Sequence, residues 1–240
     1  MELQNGSSLV RLRLEEVLSR HTEATSTSLP GAHIRILPVE PLIQNGPQCG
    51  LVALSMATKY LGLERKEISE ILECARKLGF TNQGEMFSAE WLRQLASSMW
   101  PVRATVISIP EASKLLKLID SGKAVLIAYD CAKNFEPALR NGHGAHWALL
   151  AGYAYVDVNS EDIRPATDVV VKDEDAVYVF VYHGKSKHMG LWSYPSLRQS
   201  SLNLFEAGPE RKAPSYVLPH DGLDQLRGKC VLLEKDVSGT

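Results

Sequence analysis

The 240-residue sequence lacks the features that mark several specialised classes of protein. It contains no run of eighteen apolar residues, so no membrane-spanning helix is expected. Its four cysteines include no CxxC pair, which argues against a zinc site of the usual spacing. With 26 basic and 28 acidic residues, the formal charge of −2 gives no general attraction to nucleic acid or to anionic lipid.

The chain also lacks the features of a secreted protein. Its first segment, MELQNGSSLVRLRLEEVLSR, carries acids and arginines where a signal peptide would be uninterruptedly apolar. Four cysteines are too few, in a chain of this length, for the disulfide framework of a small secreted domain. We therefore expect a cytoplasmic protein with reduced thiols.

The composition is that of an ordinary globular protein, with 45% hydrophobic and 22% charged residues. At this length we expect one domain preceded by a short extension. Residues 1–35 are assigned to that extension, which is expected to be partly flexible. In this part of the chain, a leucine-bearing segment that favours a short helix precedes a linker-like stretch. Residues 36–240 are assigned to the domain.

Helical patterns come first along the domain, and strand patterns follow. Apolar residues recur at helical spacing over 49–62, 64–79 and 89–99, where Ser88 is placed to cap the third helix. A strand over 102–109 and a helix over 110–122 come next. Further strands are predicted over 124–129, 146–156, 176–183, 190–194, 215–219 and 229–234. This order favours an α+β fold with a helical N-terminal half and a C-terminal antiparallel sheet.

Cys49 is the first candidate for chemistry because of its position. It begins the apolar helix after a Gly-Pro turn, and the free N–H groups and partial positive charge of a helix start favour a thiolate. Gly50 is a poor helix former, which fits a position where another group approaches the backbone closely. The alternative is a buried, inert cysteine near a helix start.

Two glutamines precede Cys49. A thiolate that attacks an amide creates a tetrahedral oxyanion, which a side-chain amide and the Cys49 backbone N–H would stabilise. Gln44 and Gln48 are both candidates for the side-chain donor, and each also fits an ordinary loop residue.

His146 opens a strongly apolar strand just after a glycine-containing loop. An imidazole at the rim of a sheet can serve as base to a cysteine and then as acid to the leaving amine. His143, in the loop itself, is the competing candidate, and a strand-end histidine without a catalytic role is the alternative. The residue that orients the imidazole stays open among Asp157, Asn159, Ser193 and Asn203.

Several short blocks of the sequence resemble known peptidases. The segment QNGPQCGLVALSM resembles the nucleophile region of the papain-like peptidases that process bacteriocin leaders. The blocks GPQCGLVAL, QGEMFS, LIAYD, NFEP, GHGAHWA, HGKS and LWSY, in this order, are similar to the actin maturation protease family. The resemblance implies a papain-like cysteine peptidase fold with its nucleophile at a helix start.

The resemblance also implies an activity. The family removes an N-terminal acetylated Met or Cys from actin and leaves an acidic residue as the new terminus. Carried over, Cys49 is the nucleophile, His146 the base and Gln44 the oxyanion donor of a thiol aminopeptidase. No metal and no cofactor are expected, because a thiolate needs only an amide and an oxyanion hole. The residues expected to contact the substrate are Gln48, Gly50 and Trp147.

The sequence differs from the family in two places, which affect the expected partners and the expected active site. Family members carry a long proline-rich N-terminal tail that suits profilin, whereas this chain starts with a short proline-poor segment. Actin is therefore the expected partner, and profilin is not. Some members have an acidic residue in the LW-x-Y block, where this chain has Ser193.

Other functions stay open on the sequence alone. One is a cysteine hydrolase of the same fold with another substrate, such as a deamidase or an isopeptidase. Another is an inactive fold that serves as an actin-binding module, against which the presence of both Cys49 and His146 argues. The small basic cluster HGKSKHMG (183–190), together with Arg140, fits either a patch for an acidic peptide or a solvated turn.

Overall fold

The computed structural model describes Leu12 and residues 26–29, 32–156, 170–211 and 215–236. Apart from Leu12, the leucine-bearing segment expected to form a short N-terminal helix lies outside these residues. No helix within the described ranges is long and apolar enough to cross a membrane.

The described residues form five α-helices and a single antiparallel sheet of eight strands. The strands are β1 (Ser26–Leu29), β2 (Ala32–Ile36), β3 (Val102–Ser108), β4 (Ala124–Asp130), β5 (Ala145–Val156), β6 (Val177–Tyr182), β7 (Gly190–Ser193) and β8 (Lys229–Lys235). The helices are α1 (Cys49–Tyr60), α2 (Ile68–Lys77), α3 (Ala89–Met99), α4 (Ala112–Asp120) and α5 (Tyr194–Leu202). The predicted α+β class, with Cys49 at a helix start and an antiparallel sheet, is confirmed.

Strand β5 is the centre of the sheet. One of its edges pairs with β6 over residues 149–155. The other edge is shared, because β4 pairs with residues 145–150 and β2 with residues 152–156. Gly152 lies at the changeover with φ +144, and a Cβ there would lie 2.0 Å from the backbone oxygen of Arg35. Only glycine therefore fits this close approach of two backbones.

Helix α1 is buried because its sequence is apolar on nearly every side. Its residues 50–58 are all buried, and the helix packs against β4 and β5. Cys49, its first residue, is only partly buried. The free N–H groups of the first turn therefore lie where the helix meets the strand that begins with Ala145 and His146.

Helices α2, α3 and α5 begin at capping residues that can be read in the sequence. Ser88 caps α3 as predicted, since its Oγ accepts the Trp91 N–H at 3.2 Å. Glu67 and Glu70 form a capping box at the start of α2. Ser193 caps α5, and a proline occupies the first turn of that helix.

Three segments differ from the prediction. Strands β1 and β2 put residues 26–29 and 32–36 into the sheet, ahead of the expected domain start at residue 36. Helix α5 was not predicted, because its sequence YPSLRQSSL has little apolar periodicity. The prediction of a strand over 215–219 was wrong. The N–H of Val217 there donates to the Glu85 carboxylate at 3.2 Å rather than to a neighbouring strand.

Candidate active site

Cys49 and His146, predicted as a pair from distant parts of the sequence, are in contact. The Cys49 sulfur is hydrogen-bonded to the His146 side chain and to the backbone of Trp147. Burial alone would raise the pKa of the Cys49 thiol. The His146 charge and these two hydrogen bonds, with a contribution from Arg211, outweigh burial and lower the pKa to about 7. A thiol with this pKa is about half reactive thiolate at pH 7, whereas a thiol with the ordinary value is almost entirely protonated there.

The ring nitrogen of His146 that does not face Cys49 is hydrogen-bonded to the main chain. This nitrogen, Nε2, lies 2.8 Å from the backbone carbonyl oxygen of His183, the residue that follows β6. A carbonyl can only accept a hydrogen bond, so Nε2 carries the hydrogen and Nδ1 is left to face the sulfur. The rings of Tyr129 and Phe135 pack against the imidazole, with centroid distances of 5.8 and 5.5 Å. The ring of His146 is thus fixed on several sides.

The candidates for the orienting residue have other roles or lie outside the description. The Ser193 hydroxyl caps α5. The Asn203 side chain accepts the backbone N–H of Asn141 at 2.7 Å. Asp157 and Asn159 fall outside the described residues. A main-chain carbonyl has no signature in sequence, which is why sequence reasoning missed this contact.

The loop that leads into His146 is organised by one buried carboxylate. Asp130, with 0% exposure, ends β4. Its oxygens accept the backbone N–H groups of Gly142 at 3.0 Å and Gly144 at 2.8 Å, and also that of Arg140. A Cβ at Gly144 would lie 2.2 Å from the Cys131 backbone oxygen, so the loop packs too closely for a side chain. His143, the competing histidine, pairs with Glu206 at 2.9 Å instead.

The two glutamines are placed differently. Gln44 lines the cleft beside Cys49, and its Nε2 donates to the Gly46 oxygen at 2.6 Å. That bond uses one of its two amide hydrogens and leaves the other for a substrate oxyanion. Gln48 packs under Gly84, where an added Cβ would lie 2.5 Å from the Gln48 Cγ. In the described part of the chain, the geometry favours Gln44 over Gln48 as oxyanion donor.

The close approach expected at Gly50 is made by protein side chains. A Cβ there would lie 3.0 Å from the Met86 Cβ and 3.2 Å from the Trp147 ring. Trp147 is buried at 2% exposure, lines the cleft, and donates from Nε1 to the Met86 oxygen at 2.7 Å. Gly50 therefore serves the packing of α1 against β5, which brings Cys49 to His146.

The cleft around this pair has a volume of about 400 Å³. Besides the residues already named, it is lined by Pro47, Phe87, Lys185, Glu210, Arg211, Tyr216 and Leu226. Lys185 belongs to the basic cluster found in the sequence, whereas Arg211 was not singled out. Arg211 lies far along the chain from both Cys49 and His146 in a segment without periodicity, so no sequence signal connected them. No group of three or more His, Cys, Asp or Glu side chains among the described residues could hold a metal ion.

Comparison with known proteins gives the family. A family model described as "Actin maturation protease-like, C-terminal domain" matches residues 39–154. The Actin maturation protease of Danio rerio is 36% identical over 228 residues, which cover 84% of this chain and 74% of that protein. The chain belongs to the actin maturation protease family. The resemblance found in the sequence is thereby confirmed, and this family member is a peptidase.

Other relatives are similar over comparable lengths. The Actin maturation protease of Drosophila melanogaster is 32% identical, covering 85% of this family member and 72% of the fly protein. Among solved structures, the peptidase domain of Streptococcus ComA is 11% identical with a TM-score of 0.46. It covers 82% of this chain and 98% of that domain.

Proposed function

We propose that this protein is a cysteine-type aminopeptidase that removes the acetylated N-terminal Met or Cys of actin in the cytoplasm. The observation that carries the proposal is the Cys49 thiol, whose pKa is about 7 and which is hydrogen-bonded to His146 at a helix start. The substrate is inferred from the relatives, which are named Actin maturation protease. The acidic residue that follows Met or Cys in actin becomes the new N-terminus.

In the first step, His146 takes the proton of the Cys49 thiol, and the resulting thiolate attacks the carbonyl carbon of the acetylated residue. The carbonyl oxygen becomes an oxyanion, for which the Cys49 backbone N–H and the free amide hydrogen of Gln44 are the donors. Both donors are neutral, so neither pairs permanently with the thiolate. The helix start adds its partial positive charge to the same point.

The second step is expulsion of the actin chain. Protonated His146 transfers its proton to the nitrogen of the scissile bond, the C–N bond breaks, and a thioester to Cys49 remains. A water molecule then gives a proton to His146 and attacks the thioester carbon. Acetylated Met or Cys leaves as a free acid, and the Cys49–His146 pair is restored.

The test is incubation of the protein with actin that carries an acetylated Met or Cys terminus, followed by intact-mass measurement of the actin. The expected result is loss of one acetylated residue with the wild-type protein and no loss with Cys49→Ala. Cys74→Ala is the matched control, since Cys74 is a partly exposed free cysteine on α2 that does not line the cleft. It should process actin normally.

Two results would contradict the proposal. Processing that survives Cys49→Ala would remove the thiol from the mechanism. Unchanged actin, together with Cys49-dependent hydrolysis of a glutamine side chain or an isopeptide bond, would favour a deamidase or isopeptidase instead.

A further inference from the structure

Contacts among the lining residues divide the cleft around Cys49 and His146 into two halves, one with Arg211 and one with Lys185. The half with Arg211 is called the enclosed half because Phe87 and Leu226 in its lining are 4% and 1% exposed, although Glu210 in that half is exposed. The other half is open, because Gly46 and Lys185 in its lining are exposed. Ring, cation and backbone contacts link the residues within each half.

In the enclosed half, the Phe87 ring lies 6.4 Å from the Tyr216 ring and 6.0 Å from the Arg211 guanidinium. In the open half, the Lys185 amine lies 5.8 Å from the Phe135 ring. The backbone N–H of Gln44 donates at 2.8 Å to the oxygen of Gly184, the neighbour of Lys185.

These two halves set the direction in which a substrate lies. A long protein chain needs the open half, whereas a single blocked residue fits the enclosed one. The His146 imidazole, which must protonate the leaving nitrogen, packs against the Phe135 ring. The Lys185 amine lies over the same ring. These contacts favour a leaving chain that follows Phe135 and Lys185, with the acetylated residue in the half that contains Arg211.

Arg211 is held in place inside the enclosed half. Its Nη1 donates to the backbone oxygen of Ala145 at 2.8 Å, directly before His146. Its guanidinium also lies over the Phe87 ring, and its side chain is 26% exposed. A guanidinium has five N–H donors in a rigid fork, so others remain for a substrate acceptor.

We propose that Arg211 makes the site select N-acetylated over free N-termini, an inference that rests on the proposed function. The acetyl carbonyl accepts a hydrogen bond from the guanidinium. A free α-ammonium in the same place carries the same charge as Arg211 and is repelled. Acetylation removes that charge and supplies the acceptor, so both effects favour the acetylated substrate.

Two acidic residues, Glu85 and Glu210, also line the cleft, and neither makes a short ion pair with the Arg211 guanidinium among the described residues. The oxygens of Glu85 accept the backbone N–H groups of Asn82, Gln83 and Val217 at 3.0–3.2 Å. Glu210 lies 3.8 Å from the Arg211 Nε, but its side chain is 65% exposed. Water screens a pair with so exposed a partner, and the contact is long for an ion pair.

The test compares one synthetic peptide, Met followed by acidic residues, in N-acetylated and free-amine forms. For the wild-type protein we expect a much larger kcat/KM on the acetylated form. In Arg211→Gln, the ratio between the two forms should fall roughly tenfold or more, through slower acetyl cleavage and faster cleavage of the free amine. Arg211→Lys keeps the charge and should keep the rejection of the free amine.

Controls and outcomes separate this inference from the proposed function. Arg103→Gln, on the far strand β3, should leave the ratio unchanged, and circular dichroism shows whether each variant is folded. A folded Arg211→Gln with the wild-type ratio overturns the role of Arg211 alone, as does a wild-type protein that cleaves both forms equally. Loss of preference for acidic following residues instead would move Arg211 to the leaving-chain side and also overturns it. A wild-type protein that cleaves neither form overturns the proposed function itself.

Discussion

The imidazole of His146 is oriented by the main chain of His183, whose carbonyl oxygen lies 2.8 Å from Nε2. In many catalytic triads a carboxylate or amide side chain takes this position. A carbonyl fixes the tautomer equally well, because it accepts from Nε2–H and leaves Nδ1 for the sulfur. It adds no negative charge to the pair.

The first prediction follows from the backbone origin of this contact. Because the contact needs only the His183 carbonyl, His183→Phe should retain activity within about tenfold of wild type, whereas His146→Phe should lose roughly 10³-fold or more. The His183 ring stacks between Phe135 and Trp192, and its buried Nδ1 has no hydrogen-bond partner in the described structure. Burial, with nearby His146, lowers its pKa to about 4, so it is neutral at pH 7. The measurement is kcat on an acetylated peptide; equal losses in both variants would give the His183 ring a direct role.

The second prediction concerns pH. The pKa of Cys49 is lowered from its ordinary 9.0 to about 7, so thiolate accumulates as the pH rises through 7. The rate of alkylation by iodoacetamide should therefore rise with pH and reach half its maximum near pH 7. In His146→Ala the hydrogen bond and charge are lost, and the midpoint should move upward.

Alkylation of Cys49 is followed by mass spectrometry of the peptide that contains it. Cys230 is the internal control, since burial raises its pKa to about 12 and should leave it unreacted in the folded protein. A Cys49 midpoint that is the same in wild type and His146→Ala would contradict the pairing.

The third prediction concerns Lys185 in the open half of the cleft. Because the leaving chain of the proposed substrate begins with an acidic residue, Lys185→Gln should lower kcat/KM several-fold at low ionic strength, and the difference should shrink as salt is added. Peptides with acidic and with neutral residues after Met are compared in both proteins. Lys117→Gln, at an exposed site on α4, is the matched control. An equal effect on both peptides would exclude charge recognition by Lys185.

The fourth prediction concerns Asp130, which positions the loop before His146. Asp130→Asn turns one acceptor oxygen into an NH₂ group facing backbone N–H groups. The free energy of unfolding should therefore fall by about 1–3 kcal/mol. Because Gly142 and Gly144 are both held by this carboxylate, kcat should fall as well.

A second carboxylate separates stability from positioning in that experiment. Asp120→Asn loses part of the contact with the Tyr153 hydroxyl, at 3.0 Å, which lies away from the cleft. It should lower stability while kcat of the folded enzyme stays the same. Denaturant unfolding and kcat are measured for both variants, and equal kcat losses would show that Asp130 acts only through stability.

Much of the fold could be predicted because its signals are local. The apolar run after Cys49 predicted the buried helix, and Ser88 predicted the start of α3, since periodicity and caps act over a few residues. The strands β3 to β8 were predicted within a few residues of their bounds for the same reason. Strands β1 and β2 were not, because β2 pairs with the free edge of β5 and β1 pairs with β2, and their own short sequences do not specify these partners.

For this protein, the sequence by itself determined the family, the α+β class, and the positions of Cys49 and His146 at the starts of a helix and a strand. Only the tertiary structure decided that a carbonyl orients the imidazole, that Gln44 lines the cleft and Gln48 does not, and that Arg211 lines the same cleft. The physical reason is the distance along the chain over which each kind of signal acts. Helix and strand signals lie within a few residues, whereas these contacts join distant segments and backbone atoms that every residue type possesses.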